Sequence, residues 1–186
     1  MGFLQKLWFD TRLRGSLYYT DISDYQVHNY VSGLEKTAIV YNTDVELYGF
    51  ELELTRRFTH KLGGYFTYTW QNWSADQFPL EAEASHYFMQ NLPRNKVTMG
   101  VSYGLWENGL VTLNARWLDS RESKGGETIH DFATVDVGAQ HLFELMDGSS
   151  FVVKGYVNNV TDEDYEMRYG YPMPGITAGI SGRLNF

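Results

Sequence analysis

The last eleven residues, ITAGISGRLNF (176–186), decide how the rest of the chain is read. In an extended strand successive side chains point to opposite faces, so Ile176, Ala178, Ile180, Gly182, Leu184 and Phe186 fall on one side. Thr177, Gly179, Ser181, Arg183 and Asn185 fall on the other. One face is apolar, the other is polar, and the stretch closes on an aromatic ring.

The same period of two recurs upstream. RLRGSLYYT (12–20) sets Leu13, Gly15, Leu17 and Tyr19 against Arg12, Arg14, Ser16 and Tyr18, and GFELELT (49–55) sets Phe50, Leu52 and Leu54 against Glu51 and Glu53. GGYFTYTW (63–70), KVTMGVSYG (96–104), LVTLNARWL (110–118), TVDVGAQ (134–140) and FVVKGYVN (151–158) repeat the pattern. With the terminal segment this predicts about eight antiparallel strands with two unlike faces, an all-β fold. The connections alternate in length. RFTHKLG, WENG and ELMDGSS are tight, whereas DYQVHNYVSGLEK, NWSADQFPLEAEASHYFMQNLPRN, DSRESKGGETIHD and NVTDEDYEMRYGYPMPG are long. Short turns at one end and long loops at the other match an outer-membrane barrel. Aromatics gather in two belts, Phe58, Trp106, Phe143, Phe151 and Phe186 near the short turns and Tyr19, Trp70, Trp73 and Trp117 near the loops, as interfacial girdles do.

Composition excludes several function classes. A net charge of −8 with pI near 5.0 leaves no basic patch for nucleic acid. With no cysteine there is no disulfide, thiolate metal site or cysteine nucleophile. No apolar run is long enough for a membrane helix and MGFLQKLWFD lacks the features of a secretory signal, but a membrane strand needs only about 9 to 11 residues. His28, His60, His86, His130 and His141 form no zinc-binding spacing. Asn159-Val160-Thr161 and Asn72-Trp73-Ser74 read as chance matches to a glycosylation acceptor, and Asp162 and Asp164 as turn formers rather than a calcium loop. No nucleophile elbow or phosphate-binding loop is present, so the expectation is a protein that is not an enzyme and carries no cofactor or metal.

Arg14, Glu51, Glu53, Arg116, Asp136, Gln140, Lys154 and Arg183 all occupy the polar parity. Charges facing lipid would cost roughly 2 to 4 kcal/mol each near the midplane, so this face is expected to line a lumen.

The residues YNTDVELYGFELEL (41–54), GGYFTYTW, NLPRNKVTMGVSY (91–103) and above all VNNVTDEDYEMRYGYPMPG (157–175) with GRLNF (182–186) resemble the C-terminal part of the TonB-dependent outer-membrane receptors. That family has a similar Asn-Leu/Val-Thr/Phe-Asp segment before a Tyr, a GYPxPGR turn into the last strand, and a terminal Phe. Ile176 departs from the pattern, since Arg is usual there. The resemblance implies a 22-stranded barrel around a plug, of which residues 1–186 supply a single barrel segment without plug or signal peptide. It implies residence in the outer membrane of a Gram-negative bacterium, contact with outer-membrane lipid, handling by the barrel-assembly machinery through Phe186, and, in a full-length parent, partnership with the TonB system and the plug. The implied ligand is a small metal chelate: a ferric siderophore, cobalamin or haem. Loop residues expected to meet it are Trp73, Phe78, Tyr87, Arg121, Arg168, Tyr169 and Tyr171. The alternative is a self-contained eight-stranded structural or adhesive barrel. Truncated receptor, gene fragment and complete small barrel all stay open from sequence.

Overall fold

A computed structural model describes residues 1–30, 38–75, 91–123 and 127–186. Nine strands form one antiparallel sheet in chain order: β1 (Gly2–Leu7), β2 (Thr11–Tyr30), β3 (Ala38–Arg57), β4 (Leu62–Ala75), β5 (Asn95–Trp106), β6 (Gly109–Leu118), β9 (Phe132–Glu144), β10 (Ser150–Asn158) and β13 (Thr177–Asn185). Two small hairpins stand outside it, β7 (Arg121–Glu122) with β8 (Thr128–Ile129), and β11 (Glu166–Arg168) with β12 (Tyr171–Pro172). The eight alternating segments are all strands, and β1 is a ninth.

The sheet has no second layer. Among the described residues the fully or nearly buried hydrophobics are Val45, Leu118, Ile129 and Phe132. The accessible surface is 13161 Å², against roughly 9,200 Å² for a compact soluble chain of this mass. Leu17, Met99, Val101, Leu113, Ile180 and Leu184 stand exposed on one face. A bilayer would remove such a face from water, and each buried apolar Å² is worth about 25 cal/mol. No described helix is long and apolar enough to cross a membrane, a fact that bears on helices and not on strands.

Register makes the two faces exact across the sheet. On the apolar face Leu13 pairs Leu54, Leu54 pairs Phe66, Phe66 pairs Met99, Met99 pairs Ala115 and Ala115 pairs Val135. On the polar face Arg14 pairs Glu53, Glu53 pairs Thr67, Thr67 pairs Thr98, Thr98 pairs Arg116 and Arg116 pairs Thr134. Cross-strand hydrogen bonds knit that face: Ser16 Oγ donates to Glu51 (3.3 Å), Tyr65 Oη to Asn114 Oδ1 (3.0 Å), and the Thr67 and Thr98 hydroxyls bond each other. Three tyrosines of this face, Tyr18, Tyr65 and Tyr156, lie flat over the directly opposite glycines Gly49, Gly100 and Gly179. A Cβ on Gly49 would stand 2.6 Å from the Tyr18 hydroxyl, so only glycine admits the ring.

The short connections all lie at one end: Trp8-Phe9-Asp10, the turn after Arg57, Glu107-Asn108, and the 3-10 turn Met146–Gly148. At the other end much of the stretch expected as the first long loop is ladder. β2 and β3 pair out to Tyr30 and Ala38, past a bulge after Ile22. Twenty residues rise roughly 66 Å, far more than a bilayer needs, so this hairpin projects beyond the apolar band.

The sheet is open. β1 pairs only with β2 and β13 only with β10. With nine strands in up-and-down order both edges run the same way, so joining them directly would demand a parallel pair, unlike the even-stranded closure of single-chain bacterial barrels.

Candidate functional site

At the loop end the polar face changes character. Val45, fully buried, packs against Ile22, Tyr25, Trp73 and Ala75, and Leu118 pairs with Phe132. Onto this apolar shelf β6 and the loop after it bring cations. Arg116 donates through Nε to Thr134 Oγ1 (2.9 Å) and through Nη2 to Tyr165 Oη (2.9 Å), and its guanidinium lies over both the Phe132 and Tyr165 rings. Those rings stack with centroids 4.3 Å apart. Arg121 lies on Phe132 from 5.4 Å and donates through Nη2 to the Glu166 carbonyl (2.7 Å). Phe132 therefore carries two guanidiniums, and the 119–131 and 159–175 loops are tied through it.

Arg121 is only 3% exposed, and its Nε and Nη1 have no hydrogen-bond partner among the described residues. Desolvation lowers its pKa from the ordinary value. Beside it opens a cavity of about 320 Å³ lined by Trp73, Leu92, Arg94, Asp119, Ser120 and Arg121. Arg94 sits 5.3 Å over the Trp73 ring.

The seven loop residues named from sequence thus separate. Trp73 and Arg121 line the same cavity. Arg168, Tyr169 and Tyr171 lie on the exposed β11–β12 hairpin, where Arg168 covers the Tyr171 ring at 5.3 Å. Phe78 and Tyr87 lie outside the described residues. The eight polar-parity residues, Arg14, Glu51, Glu53, Arg116, Asp136, Gln140, Lys154 and Arg183, share one face by register. The only ion pair among the described residues is Arg57–Asp10 at 3.8 Å, with both side chains exposed and therefore worth little. A larger cavity of about 650 Å³ lies at the short-turn end, lined by Arg12, Arg57, Lys61, Tyr65 and Asn114 among others.

Sequence reasoning missed Arg94, Phe132, Tyr165 and the positioning role of Asn159. Asn159, at φ +51°, accepts from the Glu163 amide (3.0 Å), donates to the Glu163 carbonyl (2.9 Å), and its own amide donates to Asp136 (2.8 Å). This buried side chain holds the loop, which explains why Asn159-Val160-Thr161 has no glycan acceptor free. Asp162, at φ +54°, accepts from the Ile176 amide (3.1 Å), so it is a turn former as its sequence suggested. The signal available for Asn159 was an Asn at a strand end followed by Thr and Asp, a left-handed turn pattern.

The β7–β8 hairpin supplies a pH-dependent fastening. Ser123 Oγ donates to Glu127 Oε2 at 2.5 Å, and this bond, with a backbone bond second, holds the Glu127 carboxyl below the usual carboxylate range. A depressed folded pKa gives stability that is present above the unfolded pKa and lost as pH falls through the folded one. Amide protection in β7–β8, corrected for intrinsic exchange, is expected to persist at neutral pH and fall only in acid. Ser123→Ala should abolish that acid step, and a step at neutral pH would contradict the assignment.

A family model described as "TonB dependent receptor-like, beta-barrel" matches residues 2–160. No curated protein sequence matches the chain. Among solved structures the chain is similar to the copper transporter OprC, with TM-score 0.74 and 14% identity over 93% of this chain and 28% of that one. It is similar to the siderophore receptor PiuA of Acinetobacter baumannii, with TM-score 0.69 and 16% identity over 95% of this chain and 26% of that one. It is also similar to the FrpB iron transporter of Neisseria meningitidis, with TM-score 0.71 and 16% identity over 99% of this chain and 30% of that one. At these identities the likeness is one of fold, and the chain spans less than a third of each relative.

Proposed function

Since the chain belongs to the TonB-dependent receptor-like β-barrel family, whose members are outer-membrane transporters of Gram-negative bacteria and not enzymes, we propose that it forms the last nine strands of a receptor taking up a scarce metal chelate. A ferric siderophore, cobalamin or haem fits that role. PiuA is named a siderophore receptor and OprC a copper transporter, which supports the ligand class. The observation that carries the reading is the open single-layered sheet with one apolar and one charged face. Two edges running the same way accept antiparallel closure only through an odd number of further strands, and the 22-stranded transporter barrels would supply thirteen. Direct closure into a self-contained barrel lacks that antiparallel partner. The charged face then lines the lumen, where Arg14, Glu51, Glu53, Arg116, Asp136, Gln140, Lys154 and Arg183 meet a plug and water. The loop-end shelf of Trp73, Arg94 and Arg121 meets the ligand, with Arg168, Tyr169 and Tyr171 of the β11–β12 hairpin as further contacts.

The test is uptake of labelled ferric siderophore, cobalamin and haem by cells expressing the receptor that carries this chain, with and without a working TonB system. Uptake of one ligand class that disappears without TonB is the expected result. Uptake that persists unchanged without TonB would overturn the reading.

A further inference from the structure

On the apolar face the paired positions carry charge only at the two rims: Asp21 and Glu46 toward the loops, and Arg56 at the short turns. Arg56 is thus the only Lys or Arg at a paired position of a face otherwise made for lipid. No carboxylate or hydrogen-bond acceptor among the described residues reaches its guanidinium. Its contacts are two rings, Phe58 at 5.0 Å and Phe9 at 5.6 Å. Its register neighbours are Thr11 and Gly64, both small, so no large side chain stands directly opposite it on either adjoining strand.

The turn that brings Phe9 there is strained. Phe9 and Asp10 have φ of +59° and +53°, a region that costs a bulky residue free energy and that Gly or Asn occupies more readily. Asp10 is engaged by Arg57 on the other side of the strand, so it does not neutralise Arg56. Residues 6–12 and 56–61 hold Lys6, Arg12, Arg56, Arg57 and Lys61 against the single acid Asp10, whereas the other two short turns bear only the acids Glu107, Glu144 and Asp147. In a chain of net charge −8 this is a local reversal of sign at one place on the rim. Leu54 and Leu52 continue from Arg56 up the same face, rising about 13 Å from Arg56 to Leu52, close to the roughly 15 Å depth of one leaflet.

We propose that Arg56, clamped between Phe9 and Phe58, binds the phosphate headgroup of an anionic phospholipid in the leaflet at the short-turn end, its acyl chain lying along Leu54 and Leu52. A planar guanidinium meets phosphate oxygens with two parallel N–H donors, and the flanking rings lower the local dielectric and exclude water from the pair. The proposal rests on the membrane-barrel reading above.

The experiment uses the receptor carrying this chain, purified and reconstituted in nanodiscs of phosphatidylethanolamine with phosphatidylglycerol, with native mass spectrometry counting retained lipids. Folding is scored separately by heat-modifiable migration, and membrane exposure by quenching of outward tryptophans with brominated lipid. Arg56→Gln is expected to lower retention of phosphatidylglycerol about five-fold, while Arg57→Gln, on the other face, leaves it near wild type. Phe9→Asn relieves the turn, so it should fold at least as well while weakening the same retention. Equal retention by wild type and Arg56→Gln in folded, quenched protein overturns the lipid site and leaves the barrel reading intact. If Arg56→Gln does not fold, unchanged retention in Phe9→Asn overturns the site instead. Absence of quenching in folded wild type overturns the membrane reading itself, and the site with it.

Discussion

Phe132→Ala is expected to detach the 159–175 loop from the sheet, at a cost of about 3 to 5 kcal/mol in local stability. Phe132 is 3% exposed, stacks on Tyr165 and supports both Arg116 and Arg121. Removing the ring leaves a cavity and takes away one of the contacts that cover Arg121, whose Nε and Nη1 have no hydrogen-bond partner among the described residues. A guanidinium left buried without compensation is costly, so the loss exceeds the packing term alone. Limited proteolysis and hydrogen exchange over 159–175, on receptor reconstituted in lipid, give the readout. Phe132→Leu, which keeps most of the volume, should lie between wild type and Ala. Equal protection of the loop in wild type and Phe132→Ala would mean that the hydrogen bonds from Arg116 to Tyr165 and from Arg121 to Glu166 hold the loop without the ring.

Deletion of Phe186, or Phe186→Ala, is expected to lower the yield of folded barrel in outer membranes several-fold while leaving the stability of the barrel that does form nearly unchanged. By register Leu184 shares the apolar face with Phe151, and Phe186 continues that parity just beyond β13. Its ring is wholly exposed and packs on no other residue, so its removal forfeits no folded-state packing. What remains is the favourable placement of an aromatic at the membrane interface and, by family resemblance, recognition by the barrel-assembly machinery. Asn185, on the opposite face, donates to Ser150 Oγ (3.2 Å), and Asn185→Ala should cost only that part-buried hydrogen bond. Heat-modifiability of membrane fractions at matched expression separates the two. Equal folded yields for Phe186→Ala and Asn185→Ala would refute the outward assignment of the chain's end.

Sequence by itself determined the strands of the membrane-crossing region and which face each residue takes. That information is local: side chains alternate about every strand, and a bilayer on one side with polar surroundings on the other writes the alternation into the residues. Where the alternation is absent the sequence was silent. β1 places Leu4 on the polar face and Gln5 on the apolar one, so its period is blurred. The outer parts of β2 and β3 lack the clean alternation of the membrane-crossing strands, which is why Asp24 to Tyr30 looked like loop although its backbone is laddered to β3. Their pairing partner, not their own pattern, makes them strands.

Tertiary structure alone decided the loop-end shelf and the lipid-facing cation. Arg116 meets Tyr165 across 49 residues of chain and Arg121 meets the Glu166 carbonyl across 45, contacts that no periodicity encodes because they join segments far apart in the chain. Arg56 shows the same division. Its parity was legible beside Leu54, but Phe9 and Phe58 come from two separate turns, and only strand order and register bring their rings to one guanidinium.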